Sequence, residues 1–502
     1  MAASNVAAIA KRLDSLPLTG LLGISAYYWG LLLKTGVGWG MDSLDTFLFT
    51  YLGAKGWQKS IVNYDLETKI MTPLNGHQLG LLGSASFAGS FFGALLFGQL
   101  ADVFGRKPMF MMTLLFFMTA TLICGAADSY GMLLSFRFLA GIGLGGELPV
   151  ASSLVQELTP APVRGRIIVL LESFWSIGSM GAVLMAFELI KVVSWRSVFY
   201  LSAVPAVYAI AIRIMIPESP KWLANVGRMD EAEAIVAKIE RAHGVVYDKE
   251  GEAAKVEADE PVTGMDVRGL TQLERVGLMF RGEFLSRTLV LWVVWICLAF
   301  SYYAIYVWLP TLRSKEKGGF NLNGSTGTMI FIIFWQFPGY FSAAYLVEII
   351  GRKLTLVIYL VGSFIAAMAF GYVDNTQTNL MITGAFMSWF MLGAWGSLYA
   401  YTPENYPTPI RAMGASYPVA VCRIGSIAGP YIVPIMIENN WSSKSIMWVC
   451  ASCLLVASIV LLVFGFESRG QNVESAPIVE AYLLEKAKGE TGPILTPQFD
   501  EA

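Results

Sequence analysis

The 502-residue chain is 55% hydrophobic and only 14% charged, against about 25% charged residues in an average soluble protein. A mean hydropathy of +0.57 and a net charge of −2 argue against a cytosolic enzyme, a nucleic-acid binder or a disordered chain, and make lipid the expected solvent. All five cysteines fall inside apolar stretches, so no loop disulfide framework is expected, and Cys450-x-x-Cys453 has no histidine nearby to complete a metal or redox site.

In chain order, 7–28 reads as an amphipathic segment at the membrane interface, with Lys11 and Arg12 facing water and no signal-peptide cleavage pattern. Stretches of roughly 20 apolar residues, enough to span a bilayer, follow at 30–52, 78–101, 108–127, 131–155, 167–190 and 196–216. A polar segment, 217–286, contains an amphipathic helix over 229–242 and His243. Six more spans lie at 288–311, 326–349, 354–373, 379–402, 412–437 and 445–466. The expected fold is therefore an all-α membrane protein of twelve transmembrane helices. Its parts are an N-terminal segment 1–29, a bundle 30–216, a central loop 217–286, a bundle 287–466 and a tail 467–502. An even number of spans puts both termini and the central loop on one side. That side is the more basic, chiefly through the central loop, so it is expected to be cytoplasmic. Asn323 and Asn440 open glycosylation sequons on the other side.

The two bundles repeat one pattern. Gly98-Gln-Leu-Ala-Asp102-Val-Phe-Gly105-Arg106-Lys107 lies between spans two and three, and Ala344-Tyr-Leu-Val-Glu348-Ile-Ile-Gly351-Arg352-Lys353 lies 246 residues on. Glu157-Leu-Thr-Pro-Ala-Pro-Val-Arg164 after span four is echoed 247 residues later by Glu404-Asn-Tyr-Pro-Thr-Pro-Ile-Arg411. Two motifs sharing one offset mark two pseudo-symmetric six-helix bundles. A very short connection needs glycine for its turn, and an acid at the helix end can pair with basic groups or a helix N-terminus. Gly98, Asp102, Gly105, Arg106, Lys107, Glu157, Arg164, Glu348, Arg352, Glu404 and Arg411 are thus expected to form a conformational latch.

With these loops, Arg137-Phe-Leu-Ala-Gly-Ile-Gly-Leu-Gly-Gly in span four and Pro217-Glu-Ser-Pro-Lys-Trp-Leu after span six, the chain resembles the major facilitator superfamily over 31–469. The Pro-Glu-Ser-Pro string looks like the sugar-porter signature. Gly145-Gly-Glu-Leu-Pro-Val-Ala-Ser152, Val169-Leu-Leu-Glu-Ser-Phe-Trp175 and Asp42-x-x-Asp45 look like the bacterial niacin-transporter branch, related to synaptic vesicle protein two and to metabolite:proton symporters. The resemblance implies a secondary transporter with a central cavity lined by spans one, four, seven and ten, working by rocking of one bundle against the other.

Ionisable groups inside spans are costly and mark function. Asp42 and Asp45 share a face of span one, where burial and proximity favour a shared proton. At about 1.5 Å per residue Asp45 and Arg137 reach the same depth and can pair, leaving Asp42 as the titrating site. Glu147, near Asp42 in depth, is a further proton-coupling candidate or else a gate contact. Glu172, about one and a half turns into span five, is expected on the latch with Arg106 or Arg166. Glu188 and Arg213, near span ends, are expected to snorkel. Arg423 lies mid-depth in span eleven, where Pro418, Pro430 and Pro434 interrupt the helix. Either a substrate anion or Glu404 and backbone carbonyls could satisfy it. Trp39, Trp175, Tyr302, Tyr303 and Trp395 are candidates to hold a flat ring, with Gln336 as a hydrogen-bonding group.

The expected activity is proton-coupled uptake of a small organic anion, such as a niacin-like aromatic carboxylate, by alternating access. Alternatives are a sugar or polyol porter and a non-transporting sensor or vesicle protein. No nucleophile–base set or metal cluster stands out, so no enzyme, metal or cofactor beyond the coupling proton is expected. The expected partners are a small-molecule substrate and the bilayer, without nucleic acid, for a monomer in the plasma membrane.

Overall fold

A computed structural model describes residues 2–17, 19–20, 23–54, 63–64, 71–72, 74–204, 207, 211, 214–245, 272–312, 320–322 and 325–468. Helix α1 (Ala2–Asp14) precedes α2 (Ala26–Ala54), and a short antiparallel ribbon, β1 (Asn63–Tyr64) with β2 (Met71–Thr72), follows in the first loop. This ribbon is the departure from the all-α expectation. The first half continues through α3 (Gly76–Phe104), α4 (Arg106–Gly125), α5 (Tyr130–Leu158), α6 (Ala161–Phe187) and α7 (Trp195–Ser202). The connecting segment holds α8 (Pro220–Asn225), α9 (Met229–Ala242) and α10 (Gln272–Leu278). The second half comprises α11 (Gly282–Leu312), α12 (Thr326–Phe334), α13 (Gln336–Ile350), α14 (Arg352–Tyr372), α15 (Gln377–Glu404), α16 (Thr408–Val421), α17 (Arg423–Glu438) and α18 (Ser443–Phe464).

Among the described residues ten helical stretches are long and apolar enough to cross a membrane. Helix α2 stands outside that set because Lys34, Asp42, Ser43 and Asp45 make it less apolar, yet its 29 residues cover about 43 Å on the α-helical rise. The sixth expected span, 196–216, is seen in α7 and otherwise falls partly outside the described residues. Polar caps set several helix starts. Asn75 and Gln78 form a capping box on α3, and Ser129, Thr376 and Ser442 accept from the first turns of α5, α15 and α18.

Two expected spans are broken. Span eight divides at Trp335, between Phe334 and the Pro338 that cannot donate to its carbonyl. Span eleven, its hydrogen-bond ladder thinned by three prolines, divides at Cys422 and so starts α17 at Arg423. Helix α5 presses against α3 through Gly141 and Gly145, where an added Cβ would lie 2.0 Å from the Ser86 and Ser90 carbonyl oxygens. That close approach brings Arg137, one turn before Gly141, up to Ser86.

The face bearing the N-terminus carries two matching clusters of helix-end hydrogen bonds and ion pairs, at the positions expected for the latch. Gly105 (φ +105°) and Gly351 (φ +93°) turn the chain into α4 and α14. The backbone N–H groups of Arg106 and Lys107 donate to Glu218 at 3.1 and 3.2 Å. Those of Arg352 and Lys353 donate to Glu467 at 3.0 and 3.1 Å. Each carboxylate thereby satisfies orphan donors at a helix N-terminus and complements its dipole. The Arg106 side chain pairs with Glu157 at 3.1 Å and Arg352 with Glu404 at 2.8 Å. Lys107 and Lys353 donate to the carbonyls of Ile214 and Gly465.

Here the structure departs from expectation. The capping acid is not the one within the loop: Glu348 stands 3.6 Å from Arg352 and largely exposed, while Glu218 and Glu467 cap. Arg164 donates to the Thr159 carbonyl at 3.2 Å and lies 3.9 Å from Asp14. Gly98 lies within α3 with open space at its Cα. The side chains of Asp102 and Arg411 lie outside the described residues. Nor does Arg12 face water, because it forms a 2.6 Å ion pair with Glu240 of α9. Asp14 accepts from the Ala161 N–H that starts α6, and Ser25 bonds His243 at 2.7 Å. The amphipathic N-terminus is docked on the central segment.

Candidate functional site

A cavity of about 470 Å³ lies between the halves. From the first half, α2 contributes Trp39, and α6 contributes Glu172 and Trp175. From the second, α11 gives Tyr302 and Tyr303, α13 gives Tyr340, and α15 gives Trp395 and Tyr399. The break in span eleven supplies Cys422 and Arg423. Spans one, seven and ten line it as expected. Spans five, eight and eleven do so as well, whereas span four contributes Leu144 to an adjoining cavity.

That second cavity, about 320 Å³, is polar on the α2 and α3 side, with Asp42, Thr46, Ser86 and Ser90. Trp175, Tyr303 and Arg423 line both cavities, so one guanidinium borders the Asp42 chamber and the aromatic chamber together.

The aromatic walls are mutually braced. Trp175 Nε1 donates to the Tyr302 hydroxyl at 2.9 Å across the domain interface. Tyr302 stacks on Tyr306 at 4.8 Å and meets Trp395 edge-on at 5.9 Å, and Trp395 in turn packs on Trp295 and Tyr399. Offset and edge contacts of this kind fix ring orientation. Two buried N–H donors around the cavity, Arg423 Nε and Trp395 Nε1, have no hydrogen-bond acceptor among the described residues. Arg423 is 6% exposed and makes no ion pair with a described residue. Stranding a buried donor costs about 1–3 kcal/mol, more for a charged one, so the wall is set to receive an acceptor.

Beside Asp42, Arg137 Nη1 donates to Asp45 Oδ2 at 2.7 Å, with both side chains 1% exposed. Thr121 donates to Asp45, Arg137 donates to Ser86, and the guanidinium lies 4.5 Å over the Phe49 ring. These extra partners offset the desolvation of a buried ion pair. Ser86 thereby links the pair to the wall of the Asp42 chamber. Glu147 is fully buried in α5 and outside the lining of both cavities.

Two side chains are displaced from their expected places. Glu172 lines the cavity near Trp39, while Arg106 is taken by Glu157, so Glu172 is not part of the latch. The reason is depth: α6 begins at Ala161, and Glu172 lies eleven residues in, about 17 Å along the helix rather than one and a half turns. Gln336 accepts from Ser176 at 2.8 Å and ties α13 to α6 behind the wall. Tyr340, one turn on and on the same face, lines the cavity instead. Tyr340 and Ser86 line the cavities without having been among the expected groups. The i, i+4 relation to Gln336 was the available signal for the first.

On the face away from the N-terminus, the halves are bonded together. The Tyr51 hydroxyl donates to the Tyr306 carbonyl at 3.3 Å, Ser84 to the Ile427 carbonyl at 2.7 Å, and the Gly76 N–H to Glu438 at 2.7 Å. Thr326 donates to Glu188, which is therefore a cross-domain contact as well as the partner of Lys191.

The sugar (and other) transporter family profile matches residues 48–479. The chain is 39% identical over 473 residues to the niacin transporter NiaP of Acinetobacter baylyi, covering 93% of this chain and 99% of that protein. It is 25% identical to the synaptic vesicle 2-related protein of Bos taurus, covering 91% and 81%. Its fold is similar to that of the xylose transporter XylE from E. coli in a partially occluded inward-open conformation. The TM-score is 0.69 at 16% identity, over 89% of this chain and all of that one.

Proposed function

The chain belongs to the sugar (and other) transporter family and has the major facilitator fold, and on that premise we propose that it takes up small aromatic carboxylates of the niacin type by proton-coupled alternating access. The observation that carries this reading is the pair of stranded donors at Arg423 and Trp395 around an aromatic cavity. A planar carboxylate fits it: the guanidinium offers a fork to the two oxygens, and the rings clasp the apolar body. The relationship to NiaP, whose name states niacin transport, supports the same substrate class.

In this reading Asp42 carries the proton. Asp45 is paired with Arg137, and Asp42 faces the chamber that shares Arg423 with the substrate cavity. The N-terminal face is cytoplasmic, following its basic central loop, in the plasma membrane. Hydrogen bonds between the halves close the opposite face.

Binding of an aromatic carboxylate and its neutral amide to the wild type, Arg423→Lys and Arg423→Gln tests the assignment. The lysine keeps charge but loses the planar fork, so the acid weakens while the amide is little affected. The glutamine weakens the acid further, by about 1.5–3 kcal/mol for one charge-assisted hydrogen bond. Equal losses for both ligands would make Arg423 structural and return a neutral substrate, a sugar or polyol, to the front.

A further inference from the structure

Two acids stand where their own helices disfavour them. Glu188 is the C-cap of α6 and Glu438 is the last residue of α17, so each adds negative charge to the negative end of its own helix. Each instead meets the first residue of a helix in the opposite half. Glu438 accepts from the Gly76 N–H that opens α3, at 2.7 Å, and Glu188 accepts from the hydroxyl of Thr326, which opens α12. The internal repeat relates the two contacts. Glu188 and Glu438 are 250 residues apart, and so are Gly76 and Thr326. The two seams differ in what surrounds the acid. At the first, an added Cβ on Gly76 would lie 2.9 Å from the Pro434 carbonyl oxygen, and His77 bonds the Tyr431 hydroxyl at 3.1 Å. At the second, Lys191 pairs with Glu188 at 2.6 Å, and the residue in its place on the other seam is Trp441.

We propose that Glu188 and Glu438 are a matched pair of clasps that hold the halves together on the face away from the N-terminus, one on each seam, and that both must release for that face to open. A carboxylate at a helix N-terminus meets donors that the helix leaves orphaned and complements its dipole, which offsets its poor position at the end of its own helix. Both side chains are partly open to water, so each clasp is weak and shifts the balance between closed and open by about two- to fivefold. Weakness suits a contact that has to break in every cycle. Because the clasps sit on separate seams, a half that rocks as a rigid body cannot open one and keep the other. The assignment is independent of what the cavity binds.

Cys422 lines the cavity and supplies the reporter. The full chain is placed in vesicles that expose the face away from the N-terminus, and a membrane-impermeant maleimide is added on that side. The rate of Cys422 labelling then reads how often the face opens, with Cys422→Ser as the blank. Glu188→Ala and Glu438→Ala should each speed labelling by about two- to fivefold, and the double variant by about the product of the two. Glu438→Gln keeps an acceptor without the charge and should fall between the wild type and Glu438→Ala. Thr326→Val leaves Glu188 and Lys191 in place and should match Glu188→Ala. These two milder variants carry the test if the alanine variants do not fold. An unchanged labelling rate in the double variant would overturn the proposal. So would a fall in thermal stability with no change in rate, which would leave the contacts as helix-end caps alone.

Discussion

The latches on the N-terminal face and the cavity at mid-depth treat the internal repeat in opposite ways. At the latches the two halves match group for group. Gly105 corresponds to Gly351, Arg106 to Arg352, Glu157 to Glu404 and Glu218 to Glu467, with distances agreeing to a few tenths of an ångström. In the cavity they diverge. The first half supplies Asp42 and Glu172, and the second supplies Arg423 and most of the aromatic wall. Rocking two bundles requires equivalent hinges and latches on each, whereas a substrate without twofold symmetry requires unlike walls. In the proposed reading the symmetric clusters serve the motion and the asymmetric cavity serves specificity.

The largest expected effect breaks the asymmetric half alone. Arg137→Met leaves Asp45 buried without its cation and should destabilise the protein by about 3–5 kcal/mol. Thermal unfolding in detergent reads this, and Arg137→Met combined with Asp45→Asn should recover much of the loss. A double variant as unstable as the sum would mean that the two residues act separately.

Next, Asp42→Asn should abolish proton-driven accumulation while substrate exchange across the membrane persists, because in the proposed reading that carboxylate carries the coupling proton and Arg423 remains. Accumulation with full pH dependence in that variant would remove Asp42 from the coupling role.

The symmetric part is probed by Glu218→Gln and Glu467→Gln. Each removes the charge from two helix-end hydrogen bonds and should cost about 1.5–3 kcal/mol. The two losses should be similar. Both variants should slow transport while the dissociation constant for substrate stays unchanged, and a loss confined to substrate affinity would contradict the latch assignment. Smallest is Ser84→Ala, which deletes one bond sealing the opposite face, worth about 0.5–1.5 kcal/mol. Cysteine labelling near Gly76 should report a modest rise in access from that side.

Much of this was legible in the sequence. The spans follow from hydropathy, and matched offsets reveal the two halves. The Asp45–Arg137 pair follows from helical rise alone, because two charges at one depth have few other partners in lipid. What was not legible depended on where helices end and which way they face. Span five begins six residues before its apolar stretch, so Glu172 was read as shallow. The caps Glu218 and Glu467 lie outside the spans, and hydropathy gives them no weight. Yet Glu218-Ser219 and Glu467-Ser468 stand 249 residues apart, close to the offset of the other repeats. Arg12 looked solvated because nothing local distinguishes it, and its partner Glu240 is 228 residues away. Trp335 breaks its span shortly before Pro338, and Cys422 breaks its span between Pro418 and Pro430, at points that the prolines suggest without fixing.

The most direct test of the account is accumulation of labelled nicotinate by proteoliposomes under an imposed pH gradient, with protein-free vesicles and the Asp42→Asn protein as controls for passive entry of the weak acid. The account predicts accumulation above both controls when the source side is acidic, collapse of that excess by a protonophore, and competition by other aromatic carboxylates but not by sugars. Uptake that matches the controls at every gradient, or that sugars block and aromatic acids do not, would contradict it.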